Sequence, residues 1–353
     1  MSTLKKLGVL GAGAWGSAIA RSLALKGHNV VIWTRDAKLC KTINELHENS
    51  IYLPGISLPE NIAADTDPMA VVEGAKALFL AVPSPYLLDV VKSVLPSPDI
   101  REGKPIIAVL TKGFIETARG PRLIVETLED YLPGFYKGNL VYISGPSHAE
   151  EVAAGVISGL AAASLNGRNA IRVRELLHSN RLLVFPSLDV VGVQACGAVK
   201  NIIAIAYGIL EALKTKADYF GDNTESLLLA AGLNEIQAFG QAMGSSHPET
   251  FTSLAGVGDL DVTCRSIHGR NRRFGREIVE KNTLENFQGA DDLVKRVNEL
   301  GYLPEGVFAS TFVKKLMEEK RMDLPICKGV YRILNKELSP IEFLNEFLGS
   351  LTS

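Results

Sequence analysis

Leu7-Gly8-Val9-Leu10-Gly11-Ala12-Gly13-Ala14-Trp15-Gly16 is the stretch that decides the fold. A short apolar run ends in a G-x-G-x-x-G, and a helical pattern, SAIARSLALKG (Ser17 to Gly27), opens directly behind it. A strand, a glycine turn and a helix in that order begin a dinucleotide-binding βαβ unit. Gly11 permits the tight turn, Gly13 removes a Cβ from the path of a pyrophosphate, and Gly16 lets helix and strand pack closely. The helix N-terminus turns unpaired N–H groups and a positive dipole end toward the diphosphate. NAD or NADP is therefore the expected cofactor. The second strand ends Ile32-Trp33-Thr34-Arg35-Asp36. An acid there suits the ribose 2′-hydroxyl of NAD, and an arginine suits the 2′-phosphate of NADP. Both are present; Arg35 favours NADP slightly and reads equally well as a solvated surface arginine.

Outward from this turn, short β-rich runs alternate with helical stretches. LGVL (7–10), VVIW (30–33), ALFLAV (77–82), PIIAVL (105–110) and LVYIS (140–144) read as strands. Continuous apolar strands between helices indicate a parallel sheet covered on both faces. From about Val193 the strand-like runs give way to long helical segments such as SLLLAAGLNEIQAFGQAM and FVKKLMEEKRM. The expected class is α/β: a Rossmann-type doubly wound parallel sheet domain over 1–190, then a mostly α-helical substrate-binding and catalytic domain over 191–353. The boundary is placed near Ser187–Gly192. Leu188 to Leu213 is apolar and long enough to span a membrane. Lys200 and Asn201 at its centre, with Gln194 nearby, argue instead for a buried core helix.

A net charge of −2 on 353 residues supplies no basic field for nucleic acid or an anionic membrane, so an anionic ligand needs a local site. The four cysteines, Cys40, Cys196, Cys264 and Cys327, form no C-x-x-C pair. That argues against zinc and disulfides and suits a reducing cytosol. The first residues run straight into a strand, leaving no room for a signal peptide, and the final Leu-Thr-Ser is not a peroxisomal address. A cytoplasmic protein is expected. The six histidines, His148 among them, are not at ligand spacing, and no metal is expected.

Four segments carry candidate chemistry. Leu110-Thr111-Lys112-Gly113 and Ser144-Gly145-Pro146-Ser147-His148-Ala149 each follow a strand, at the carboxyl edge where ligands bind in this architecture. Lys200-Asn201 interrupts the apolar helix. A snorkelling surface lysine is the plain alternative; burial and a second cation, for which Lys112 is the candidate, would lower its pKa and suit it as a base near neutral pH. Gly256-Val257-Gly258-Asp259-Leu260-Asp261-Val262-Thr263-Cys264 precedes Gly269-Arg270-Asn271-Arg272-Arg273, where clustered arginines behind a glycine can grip a phosphate. A solvated charged face is the alternative, and the acidic balance weighs against nucleic acid.

The segments GAGAWG, LTKG, SGPSHAEE, GAVKNIIAIAYG, GVGDLDVTC and GRNRRFG, in this order, resemble NAD(P)-dependent glycerol-3-phosphate dehydrogenase. NSIYLPGISLP (49–59) and PEGV (304–307) fit the same family, so the resemblance spans nearly the whole chain. It implies interconversion of dihydroxyacetone phosphate and sn-glycerol 3-phosphate, supplying glycerol 3-phosphate for phospholipid synthesis. Lys200 would exchange the proton of the C2 oxygen, Lys112 would polarise the carbonyl, and Asp259 and Thr263 would position Lys200 and substrate. Gly145, Ser147, Asn201, Gly269, Arg270 and Asn271 would hold glycerol phosphate together with Lys112, Lys200 and Asp259. Gly11, Gly13, Ala14, Trp15, Gly16, Arg35, Lys112, Ala149, Arg270, Leu303 and Glu305 match positions that contact the dinucleotide. One departure concerns the rim of the substrate cleft: family members often carry A-L-I-T-R-G-L-x-E, and Ala231 stands here in place of its arginine. Two other readings compete. A related 3-hydroxy-acid or sugar-acid dehydrogenase would not need Gly269–Arg273. A non-catalytic dinucleotide sensor would be expected to lose Lys112 or Lys200. A homodimer through the helical domain is compatible with the sequence.

Overall fold

The computed structural model describes residues 5–351. The terminal targeting readings concern residues 1–4 and 352–353, in whole or in part, and to that extent lie outside the described residues. The chain forms two compact units, Met1–Ile115 with Arg122–Val193, and Glu116–Pro121 with Gln194–Ser353.

The first unit holds an eight-stranded sheet built from β1 (Lys6–Leu10), β2 (Asn29–Trp33), β3 (Ile62–Asp65), β4 (Ala77–Leu80), β5 (Ile106–Val109), β8 (Val141–Ser144), β9 (Ser158–Ala163) and β10 (Leu182–Ser187). A separate hairpin joins β6 (Phe114–Thr117) to β7 (Gly120–Leu123). The sheet order is β10-β9-β8-β5-β4-β1-β2-β3. From β1 the chain moves first toward β2 and β3 and then to β4 on the other side, so the switch point lies at the carboxyl end of β1. The register pairs Leu10 with both Trp33 and Leu80, which brings Gly11, Thr34 and Ala81 to one level.

The helices of this unit are α1 (Ala14–Leu25), α2 (Ala37–Leu46), α3 (Pro68–Val72), α4 (Ser84–Val94), α5 (Pro98–Arg101), α6 (Ile124–Tyr131), α7 (Ala149–Ala154) and α8 (Gly167–Leu177). Alternation along β1 divides the faces. Leu7 and Val9 join Ile19 and Leu23 of α1 in the core, whereas a Cβ at Gly8 would meet Val71 of α3. Helix α1 is alanine-rich and runs until Gly27 takes a φ of +89°, a conformation glycine adopts without strain.

The sheet expected from sequence is parallel apart from one pair: β8 and β9 run antiparallel, and β10 then runs parallel to β9. The six residues of α7 advance the chain about 9 Å, too little to return it along a strand of about 20 Å. The chain therefore doubles back after Gly155, and β9 runs the other way. Ser158–Ala163 is wholly buried, which explains its small residues.

The second unit is helical, with α9 (Val190–Lys214), α10 (Asp222–Ala242), α11 (Asp259–Arg265), α12 (Arg270–Glu280), α13 (Ala290–Lys295), α14 (Glu305–Lys320), α15 (Pro325–Leu334) and α16 (Pro340–Ser350). The division between the units falls inside α9. The tip of the β6–β7 hairpin, which sequence patterning did not single out, belongs to this unit, and Glu116 meets Lys315 of α14 at 3.3 Å. Helix α9 is long and apolar enough to cross a membrane, yet 94% of its most apolar window is buried inside the protein.

Glycines set how closely its neighbours approach. A Cβ at Gly208 of α9 would stand 2.0 Å from Arg272 O of α12, and one at Gly275 of α12 would stand 2.1 Å from Ile205 O of α9. A Cβ at Gly306 of α14 would stand 2.5 Å from Asn201 O, and one at Gly232 of α10 would meet Ile203 at 2.5 Å.

Candidate active site

In the glycine turn, Gly11 and Gly16 are each required for a different structural reason. Gly11 has a φ of +124°, and a Cβ on it would meet the Ala81 carbonyl at 2.8 Å. A Cβ on Gly16 would stand 2.0 Å from Gly11 O. Gly13 has an ordinary φ of −68°, and a Cβ there would meet nothing within 4 Å. Neither backbone conformation nor packing demands glycine at 13. That leaves the backbone there open to close approach, a condition a dinucleotide diphosphate needs. Gly13 caps α1 without any side-chain hydrogen bond, so the helix start is not closed by its own sequence. Ala14 and Trp15 are partly exposed in the first turn.

At the end of β2 the structure separates two residues that sequence left side by side. The Asp36 carboxylate accepts from Lys38 N at 2.8 Å and Leu39 N at 3.2 Å, capping α2. Arg35 is exposed, with its guanidinium 5.6 Å from the centre of the Tyr86 ring. Tyr86 had no role in the sequence reading, because nothing local links it to a residue 51 positions earlier.

Lys112 and the Gly145–Ala149 segment lie beyond the adjacent parallel strands β5 and β8 of the first unit. Lys112 Nζ donates to Gly145 O at 3.5 Å, and Ser147 Oγ donates to the same carbonyl at 2.9 Å. Gly145, at a φ of +142°, lies so close to β9 that a Cβ would stand 2.7 Å from Gly159 O. Ala149 opens α7 and packs against the core.

In the second unit Lys200 is 6% exposed, which rejects the snorkelling alternative. Its ammonium donates to Asp259 Oδ1 and, at 2.7 Å, to Thr263 Oγ1. Asp259 and Thr263 are four residues apart on α11 and so share one helical face. Thr263 Oγ1 in turn donates to Asp259 O at 2.6 Å. A π-helical turn, Leu254–Gly258, leads into α11. A Cβ at Gly256 in that turn would stand 1.9 Å from Phe251 O, so Gly256 serves chain packing in the turn that delivers Asp259 to Lys200. Burial pushes the neighbouring Cys264 thiol far up, which leaves it a protonated apolar wall.

One residue along, Asn201 and Asn271 are both buried, and Asn271 Nδ2 donates to Asn201 Oδ1 at 3.0 Å. Asn271 Oδ1 accepts from Gly306 N at 2.8 Å, and Asn201 Nδ2 reaches Glu305 Oε2 at 3.4 Å. Arg270, at the head of α12, is 57% exposed on its side chain and meets Glu305 at 3.9 Å. Gly269 is the N-cap of α12, where a Cβ would stand 2.8 Å from Thr263 O.

The arginines of the cluster differ in their partners. Arg272 is engaged with both oxygens of Glu211 and with Ser266 O, and Arg273 pairs with Glu277 at 3.0 Å while lying 4.4 Å from the Tyr302 ring centre. These two hold α12 in place; Arg273 is as exposed as Arg270, and what sets Arg270 apart is that its ion pair is long, 3.9 Å against 3.0 Å for Arg273. Sequence reasoning also missed the hydroxyl of Tyr302, which donates to Glu277 and anchors the turn that carries Leu303 and Glu305. Around Ala231, Gly232 packs on α9, and the buried Glu235 carboxylate accepts from Ile326 N and, at 3.0 Å, from Cys327 N at the start of α15. Burial pushes the Glu235 carboxyl up to about 7. Nothing in the structure explains the alanine at 231. Among the described residues, no group of three or more His, Cys, Asp or Glu is placed to hold a metal ion.

Known proteins extend these observations. Residues 6–170 match the profile of the NAD-dependent glycerol-3-phosphate dehydrogenase N-terminus, and residues 189–345 match that of its C-terminus. The chain is 53% identical over 349 residues to glycerol-3-phosphate dehydrogenase [NAD(P)+] of Treponema denticola, covering 97% of this chain and 98% of that one. It is 54% identical over 355 residues to the enzyme of the same description from Treponema pallidum, covering 98% and 100%. A crystal structure of glycerol-3-phosphate dehydrogenase from Coxiella burnetii superposes with a TM-score of 0.83 at 32% identity, covering 98% of this chain and 99% of that one. The chain belongs to the NAD-dependent glycerol-3-phosphate dehydrogenase family.

Proposed function

We propose that the chain catalyses hydride transfer between a nicotinamide dinucleotide and C2 of dihydroxyacetone phosphate or sn-glycerol 3-phosphate. The observation that carries the reading is the buried Lys200 ammonium, fixed by Asp259 and Thr263 one residue from the Asn201–Asn271 pair. A bound nicotinamide supplies the hydride chemistry. The residues of the chain supply orientation, charge and one proton.

In this reading Lys200 gives its proton to the C2 oxygen during ketone reduction and takes it back during oxidation. Its two hydrogen bonds restrict where Nζ points, so the proton is delivered along one direction. Lys112 polarises the ketone oxygen. Gly145, Ser147, Asn201, Gly269 and Asn271 bind the glycerol phosphate skeleton, and Arg270 takes the phosphate, for which a planar guanidinium with an exposed fork is suited. Gly11, Gly13, Ala14, Trp15, Gly16, Ala149, Leu303 and Glu305 line the dinucleotide, with residues 1–190 as its domain and 191–353 as the substrate domain. Because Asp36 is committed to capping α2, Arg35 is the charged group free to meet the adenosine ribose, which supports acceptance of NADP. We place the protein in the cytoplasm, as a homodimer through the helical unit, where it supplies glycerol 3-phosphate for phospholipid synthesis. The hydroxy-acid and sensor readings are not favoured, since the relatives reported above are glycerol-3-phosphate dehydrogenases.

The test follows nicotinamide absorbance with dihydroxyacetone phosphate, offering NADH and NADPH in parallel. Oxidation of either that vanishes with unphosphorylated dihydroxyacetone is the expected result. Absence of turnover with both, in protein that still binds them, would overturn the proposal.

A further inference from the structure

The segment Asn49–Pro59 takes no part in the chemistry above, yet its first residue sits behind the glycine turn. Asn49 is fully buried. Its side-chain amide donates to Ala12 O at 2.8 Å and to Ser17 Oγ at 2.8 Å, while its Oδ1 accepts from Tyr52 N at 3.0 Å. Both donors are therefore used, and a backbone donor fills the acceptor. The excursion that delivers this side chain is closed on itself. Glu48 and Ser57 form an antiparallel bridge, Leu58 N donates to His47 O at 2.7 Å, and Gly55 N donates to Glu48 Oε1 at 3.1 Å. Leu53 and Leu58 are buried in the core, and Arg21 of α1 donates to Ser57 O at 3.0 Å. Asn49 is thus held from one side by a rigid loop and reaches the middle residue of Gly11-Ala12-Gly13 on the other.

The consequence follows from peptide geometry. Across a planar trans peptide, the carbonyl of Ala12 and the N–H of Gly13 point in opposite directions. Drawing the Ala12 carbonyl inward to a fully buried amide turns the Gly13 N–H the opposite way, at a residue where a Cβ would meet nothing within 4 Å. Without that bond the peptide can rotate, and a carbonyl oxygen could face an incoming anion in place of an N–H.

We propose that Asn49 is a positioning residue for the dinucleotide diphosphate, acting through the Ala12 carbonyl to aim the Gly13 N–H at it. The inference rests on the assignment of the glycine turn to NAD(P) made above.

The test compares wild type with Asn49→Ala, Asn49→Asp and Ser17→Ala in binding titrations with NADPH and with 2′-AMP, which lacks the diphosphate. Both Asn49 variants remove the donor to Ala12 O, and Asn49→Asp keeps the side-chain shape and the acceptor for Tyr52 N should the alanine variant fold poorly. The expected result is an NADPH dissociation constant raised about ten- to hundredfold, the scale of one misplaced hydrogen bond to a charged group, with 2′-AMP affinity retained. Ser17→Ala, which leaves the bond to Ala12 in place, should bind NADPH as wild type does. Equal weakening of both ligands, or equal weakening by Ser17→Ala, would reduce Asn49 to a structural residue and overturn the proposal. Wild-type NADPH affinity in a folded Asn49 variant would also overturn it. Failure of the wild-type protein to bind NADPH would instead remove the cofactor assignment beneath it.

Discussion

Gly275 lies on α12 one turn beyond Asn271 and is itself assigned no contact with substrate, and yet its replacement by alanine should cost most of the activity. A Cβ at this position would stand 2.1 Å from Ile205 O of α9, whereas real Cβ atoms essentially never come nearer than 3.0 Å to such an atom. The two helices must separate by at least the difference, 0.9 Å. No flexible side chain can absorb the clash, because the obstructing atom is backbone. Overpacking of this kind costs about 1–3 kcal/mol, and each kcal/mol lowers Tm by roughly 2–4 °C in a unit of this size.

Helix α12 also carries Asn271, which is bonded to Asn201 on α9 at 3.0 Å. Opening the helix pair moves Arg270 and Asn271 relative to Lys200 and Asn201. A misplacement of about 1 Å is worth on the order of a hundredfold in rate. Steady-state kinetics of Gly275→Ala should therefore show kcat/KM for dihydroxyacetone phosphate down about a hundredfold. A folded variant with near wild-type kcat/KM would refute the argument that close α9–α12 packing sets the site.

Three further outcomes are expected. Lys200→Ala should abolish turnover while leaving NADPH binding intact in a fluorescence titration; equal loss of both would make the lysine's role structural. Arg270→Ala should raise KM for dihydroxyacetone phosphate with a smaller change in kcat, and an unaltered KM would remove it from the phosphate site. Glu235 has its carboxyl raised from 4.5 to about 7 by burial, so the folded chain binds more protons than the unfolded one between those values. Its contribution is fully present below pH 4.5 and falls by roughly 3 kcal/mol as pH rises through 7; thermal unfolding from pH 5 to 8 should show that decline in wild type relative to Glu235→Gln, and a pH-independent difference would contradict it.

What the sequence disclosed of the fold is what local chemistry can encode. Strand β1, the glycine turn and α1 are contiguous, and each glycine has its reason within a few residues or on the adjacent strand. Strand β9 is the opposite case. Ser158–Ala163 contains only small residues and one leucine, which carry little β propensity, because the strand is buried on both faces. Strand β10 includes Pro186, tolerated because it lies at the sheet edge, a fact that exists only once the sheet order is known. The reversal between β8 and β9 likewise depends on where α7 ends.

The candidate site divides along the same line. Lys200 stood out because a cation inside an apolar helix conflicts with its surroundings, and such a conflict is visible without a structure. Apart from the family resemblance, which points to Arg270, the three arginines Arg270, Arg272 and Arg273 look alike in sequence, and tertiary partners distinguish them. Glu211, 61 residues from Arg272, occupies one guanidinium, and Glu277 with Tyr302 occupies another. Asp36 was similarly ambiguous until its carboxylate was found to cap α2. For the two arginines the partner is an ordinary surface-type residue in the sequence, and for Asp36 it is the backbone of the helix it caps. A motif can therefore nominate too many ligand-binding side chains, and the excess is found by asking which are already neutralised by the protein. By that criterion Arg270, whose ion pair with Glu305 is long, and Arg35, which lies over the Tyr86 ring, are the arginines proposed for the ligand's phosphates.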